Sequence, residues 1–97
     1  MLVETNKKGD VITLKLTTSE ELIGSYENDD DASYTIGRPF MIVLTSKGIA
    51  LAPWLNAVDM KSGKPVKISK KHIVAVAEPQ EYIAKEYNSQ MSGIKLV

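Results

Sequence analysis

The chain has 97 residues, 43% of them hydrophobic and 25% charged, which suits one small globular domain with a modest core. Twelve basic and twelve acidic residues cancel, which weakens any case for strong nonspecific attraction to nucleic acid, and the lack of cysteine excludes disulfides and thiolate chemistry. The opening MLVETNKKGD has charges where a signal peptide needs an apolar core, and no apolar run approaches a membrane span, so a cytoplasmic protein with no membrane partner is expected.

Residues 1–10 read as a polar arm. VITLKL (11–16) then alternates, with Ile12, Leu14 and Leu16 on one face, as a half-buried strand does. TTSE turns the chain into ELIGSYE, a second strand whose Gly24 points to bending or close backbone approach. NDDDAS reads as a solvated loop or strand end. PFMIVLT (39–45) is a continuous apolar run, expected to be a strand buried on both sides. A tight turn at 46–48 leads to IALAPWL, a fourth strand in which Pro53, lacking an N–H, requires a bulge or an edge position. NAVDMKSGKP is a loop with turn chemistry at Ser62-Gly63.

The fifth strand is expected from Val66 to Ala77, broken by the polar stretch Ser69 to His72. From Pro79 to Ser92 the spacing predicts a helix: Pro79 suits its first turn, Ile83, Tyr87 and Met91 recur at four-residue intervals, and Gly93 marks a stop. The expected architecture is a mostly β single domain: a five-stranded, strongly bent antiparallel sheet or open barrel over 11–77, of SH3-type, with a C-terminal helix over 79–92.

Charge is segregated along the chain. From Glu20 to Asp31 there are six acids and no base, and from Lys61 to Lys71 five lysines and no acid. Such a pattern permits a local basic surface, and equally a head-to-tail contact between copies of the chain.

The stretch VITLKLTTSEELIGSYE resembles the first half of an Sm motif, an alternating strand, a short polar turn and a glycine-bearing strand. KKHIVAVAEP resembles the last strand of the bacterial Sm-like protein Hfq, with Lys71, His72 and Pro79 matching its pattern. PFMIVLTSKGIALAPW is similar to the centre of small Sm-like proteins of tailed phages of marine bacteria. The resemblance covers about residues 9 to 79. It implies a five-stranded bent sheet whose fourth and fifth strands pair between subunits, closing about five to seven identical copies into a ring around a pore. It further implies binding of single-stranded, often uridine-rich RNA, with Lys71 and His72 at the last-strand bend contacting it. The chain departs from the family in two places. DDDASYTIGRPF lacks the expected asparagine between the second and third strands, and the usual N-terminal helix has no counterpart, since the residues ahead of the first strand are few and polar.

Lys70, Lys71 and His72 therefore admit two readings, a solvated bend or a nucleic-acid contact in which lysines meet phosphate and the imidazole meets a base. Tyr34 and Arg38 flank the loop where the family places its stacking aromatic, and both are carried as nucleic-acid candidates; Phe40, inside the apolar run, reads as core. Trp54 reads as an anchor against a neighbouring subunit or the helix. The three acids Asp29 to Asp31 lack the spacing of a calcium loop and read as a solvated loop. With one histidine and no nucleophile, phosphate-loop or metal-ligand motif, no enzyme, cofactor or metal is expected. The functional expectation is a homo-oligomeric ring that binds single-stranded RNA, or DNA, at basic loops near its pore; the alternative is a structural assembly module that never meets nucleic acid.

Overall fold

The computed structural model describes residues 6–57, 59 and 62–95, so residues 1–5 of the polar arm lie outside it. It is mostly β, an open antiparallel sheet with one C-terminal helix, as the sequence pattern leads one to expect. The strands are β1 (Val11–Leu16), β2 (Glu21–Asp29), β3 (Ser33–Thr45), β4 (Gly48–Pro53), β5 (Val66–Ser69) and β6 (Ile73–Ala77); the helix α1 spans Glu81–Lys95. Sheet order is β4-β3-β2-β1-β6, with β5 laid against β3. Among the described residues, no helix is long and apolar enough to cross a membrane.

The fifth strand expected over 66–77 is two strands. Ser69 closes β5, its Oγ accepting the Lys71 N–H at 3.2 Å, and Lys70–His72 form a single 3-10 turn before β6 begins. The two halves serve different neighbours: β5 pairs with the first part of β3 and β6 pairs with β1. The sheet thus wraps round on itself without closing into a barrel, and the wrap is completed by chain continuity through the 3-10 turn.

β3 differs most from its expected bounds. It starts at Ser33, six residues ahead of the apolar run, and it bends where Arg38 takes a left-handed φ of 46°. Ser25 faces Gly37 while Ile23 faces Phe40, so β3 carries one extra residue there, the signature of a β-bulge. An extra residue exchanges the two faces of a strand. Ile36 lies in the inner core with Ile12, Leu14, Leu16, Leu22, Tyr26 and Ile68. Phe40, of the same parity, lies in a second core with Ile23, Ile83, Tyr87 and Met91. The run 39–45 is therefore not buried on both sides: Met41 packs against the inner core and Ile42 against the outer one, both half-buried, and only the tip of the β3–β4 hairpin stands clear, with Leu44 82% exposed.

α1 packs the expected stripe of Ile83, Tyr87 and Met91 on the outer core. It begins two residues later than Pro79, where the Gln80 carbonyl accepts the N–H groups of Ile83 and Ala84, and it continues through Gly93. The Tyr87 hydroxyl donates to the carbonyls of Gly37 (3.1 Å) and Arg38 (2.9 Å), which fixes the helix to the bulge. Trp54 packs against the inner core, not against α1, and its Nε1–H donates to Glu20 Oε2 at 3.1 Å. That bond, after one from Thr18, holds the Glu20 carboxyl below its ordinary value.

Gly24 sits on the inner face of β2, where an added Cβ would overlap the Ile36 Cγ2 methyl and lie 3.1 Å from the Gly37 carbonyl oxygen. Its backbone has no left-handed φ, so the requirement is room alone. Gly24→Ala is expected to lower unfolding free energy by about 1–3 kcal/mol, the usual cost of overpacking a core. Urea unfolding measures it; a change below about 0.5 kcal/mol would mean that β2 and β3 are not in such close contact.

Candidate nucleic-acid interface

The 3-10 turn divides its three residues. Lys70 turns back over the sheet, where its Nζ lies 2.8 Å from Asp29 Oδ2 and 5.0 Å from the centre of the Tyr34 ring. Lys71 and His72 point outward and are exposed, with no side-chain partner among the described residues. The turn is held by backbone: the Ile73 N–H donates to Lys70 O, the Lys70 N–H to Ala32 O, and the Thr17 N–H to His72 O. Both Lys71 and His72 are therefore displayed from a fixed frame.

Beneath Lys70 lies a small polar group. Asp29 also accepts the Tyr26 hydroxyl, and the Tyr26 and Tyr34 rings meet edge to face at 6.2 Å. The Asp29 carboxyl is held below its ordinary value, first by Lys70 and then by Tyr26. Lys70 is raised by the same partner, and the Tyr26 phenol is pushed up to about 12 by its bond to Asp29. Each of these shifts favours the paired state as it stands at neutral pH. Asp30, next along, folds the β2–β3 turn by accepting the N–H groups of Ala32 and Ser33, both at 2.8 Å. Two of the three clustered acids thus have structural work.

Of the five residues singled out by sequence, Lys70 and Tyr34 are brought into contact, and Lys71 and His72 follow on the same turn. Arg38 lies farther along β3, past the ladder to β5, which covers Ser33–Ile36. Its guanidinium packs beside Gly63, where an added Cβ would come within 2.7 Å of it. Tyr34 and Arg38, expected to flank a loop, both lie within β3, which begins at Ser33. The residues that sequence reasoning passed over are Asp29 and Tyr26, the partners that take up Lys70. Asp29 and Lys70 are 41 positions apart, so no local pattern joins them. The acidic run ending at Asp31 and the basic run ending at Lys71 were the available signal.

Also left open is an edge. β6 pairs with β1 on one side, and no strand covers its other side among the described residues. Its sequence IVAVA is wholly apolar, yet Val74 is 62% exposed. No protein-family model matches the chain, and no curated protein matches it.

The Asp29 cluster fixes the pH behaviour of the turn. Asp29, with a lowered value, adds stability that is present above its unfolded value near 3.8 and lost as pH falls through its folded value. Tyr26, with a raised value, adds stability present below 10.0 and lost as pH rises toward about 12. Alkaline titration of phenolate absorbance should find Tyr26 ionising near 12, and Asp29→Asn should return one tyrosine toward 10. An unchanged titration in that variant would show that Asp29 does not hold the Tyr26 hydroxyl.

Proposed function

We propose that the chain is an Sm-like protein of the cytoplasm that assembles into a homo-oligomeric ring. The ring binds single-stranded RNA, or DNA, and serves nucleic-acid processing or regulation by holding strands, without chemistry of its own. The observation that carries this reading is the junction of two features in one segment, the outward Lys71-His72 pair and the unpaired apolar edge of β6 that follows it directly. An apolar strand edge left open is a template for pairing with another chain. Among the described residues the far sides of β4 and β5, both flanking β3, carry no ladder either, and in this reading they supply the complementary edge.

Pairing repeated around a ring multiplies each Lys71-His72 pair, so that weak contacts act together on one strand of nucleic acid. Lysine neutralises phosphate and the imidazole meets a base. In this reading Lys70 shapes the turn, with its charge taken up by Asp29, while Tyr34 and Arg38 are secondary contacts. The neutralised Lys70 and the adjacent acids favour a second reading, an assembly module that binds no nucleic acid.

Light scattering combined with fluorescence anisotropy of labelled uridine-rich and adenine-rich oligonucleotides tests both. The expected result is a multimer that binds more tightly as salt is lowered. Lys71→Ala should leave the mass unchanged, weaken binding and lower the salt dependence by about one counterion per contacted copy. His72→Ala should weaken binding without that change of slope. A multimer that ignores every oligonucleotide at low salt would leave only the second reading, and a monomer at all concentrations would remove the ring and leave the second reading only as contact with a different protein.

A further inference from the structure

α1 covers part of the outer face of the sheet and leaves the β3–β4 hairpin to carry the rest. Phe40, Ile42 and Leu44 share that face by alternation, and the register sets Ile42 beside Leu51 and Leu44 beside Ile49. Ile42, Ile49 and Leu51 lean against the outer core, whereas Leu44 is 82% exposed at the tip. Where the hairpin meets the helix, Ile49, Leu51, Tyr82, Ile83 and Glu86 line a shallow groove of about 90 Å³, room for one aliphatic side chain. Tyr82, on its rim, is 59% exposed. One face thus carries both a projecting leucine and an apolar recess. Charge follows the same arrangement. Lys47 stands at the tip near Leu44, and Glu86 stands at the recess, where it accepts the Gln90 side-chain N–H at 3.1 Å. Neither has an ion pair among the described residues.

We propose that this face is covered by the same face of a second copy of the chain, the two hairpins packing face to face about a two-fold axis. In such a contact every residue pair occurs twice, so a face that carries both members of a pair complements itself. Reversing one hairpin over the other lays Leu44 of each copy in the groove of its neighbour and sets Lys47 against Glu86. Packed sheets lie about 10 Å apart, close to the ~10–12 Å diameter of a helix, so the second hairpin continues the layer that α1 begins. Its tip then abuts the first half of the neighbouring helix, where Tyr82 covers it. A lipid surface on this face would bury Glu86 without a partner, whereas a second copy supplies the lysine that pairs with it. The contact uses neither β6 nor the basic turn. It stands independently of the ring proposed above and doubles whatever unit the chain otherwise forms.

Light scattering on the full chain across a dilution series reads the mass, with circular dichroism to verify folding. Leu44 is exposed, so Leu44→Glu should fold normally and halve the wild-type mass. Lys47→Glu and Glu86→Lys should each weaken the association about tenfold, and the two combined should restore it, because together they exchange the charges. A wild-type multimer whose mass Leu44→Glu leaves unchanged overturns the inference and leaves the ring reading standing. So does a combined variant that associates no better than either single one. A wild-type dimer that Leu44→Glu turns into a monomer supports the inference and removes the ring instead. A wild-type chain that is monomeric throughout overturns it and leaves the face to a different protein.

Discussion

The fold depends on the bulge at Gly37–Pro39 in β3. A 13-residue strand paired with β2 from Tyr34 to Met41 cannot follow a strong bend while keeping strict alternation. One extra residue lets it turn and hand its apolar side chains from the inner core to the outer one. The backbone carries the strain at Arg38, whose left-handed φ costs about 1 kcal/mol for a residue with a side chain. Compensation comes from both sides of the sheet. Gly24 lets the facing strand come close, and the buried Tyr87 hydroxyl donates to the two carbonyls that the kink turns toward it. Burial pushes the Tyr87 phenol up to about 12, so it remains a donor across the physiological range. The terminal helix is therefore part of the bend, although it is the last element of the chain.

That coupling explains what was legible in the sequence. The alternation of Ile12, Leu14 and Leu16 and the four-residue stripe on α1 each report a local period, and the structure keeps both. Gly24 signalled a close approach, and Ile36 is what approaches it. The start of β3 was hidden because SYTIGRPF contains a glycine, an arginine and a proline that locally mimic a loop. Only pairing with β2 and β5 makes it a strand. Likewise, PFMIVLT has the composition of a doubly buried strand, but the tip of the hairpin it forms with β4 stands clear of the body. Composition reports what a segment can bury, whereas burial depends on which elements arrive to cover it.

The basic turn shows the same division between local and distant information. Sequence puts Lys70, Lys71 and His72 side by side as equals. In space a 3-10 turn rotates successive side chains by about a third of a circle, so neighbours cannot face the same way. One of the three must turn inward, and Asp29 and the Tyr34 ring receive it. The acidic run that seemed to oppose a phosphate site thus supplies the partner that anchors the turn.

Charge segregation along this chain has a consequence for the sheet edges. β6 begins beside Lys71 and His72 and ends at Glu78, so one apolar strand has a basic head and an acidic tail. β5 lies just ahead of the same turn and carries lysines at both ends. An edge with uniform charge would repel copies of itself, and an edge without charge would pair with any exposed strand. A polar gradient along an apolar edge does neither: it lowers the energy of a particular neighbour in a particular direction and raises that of the rest.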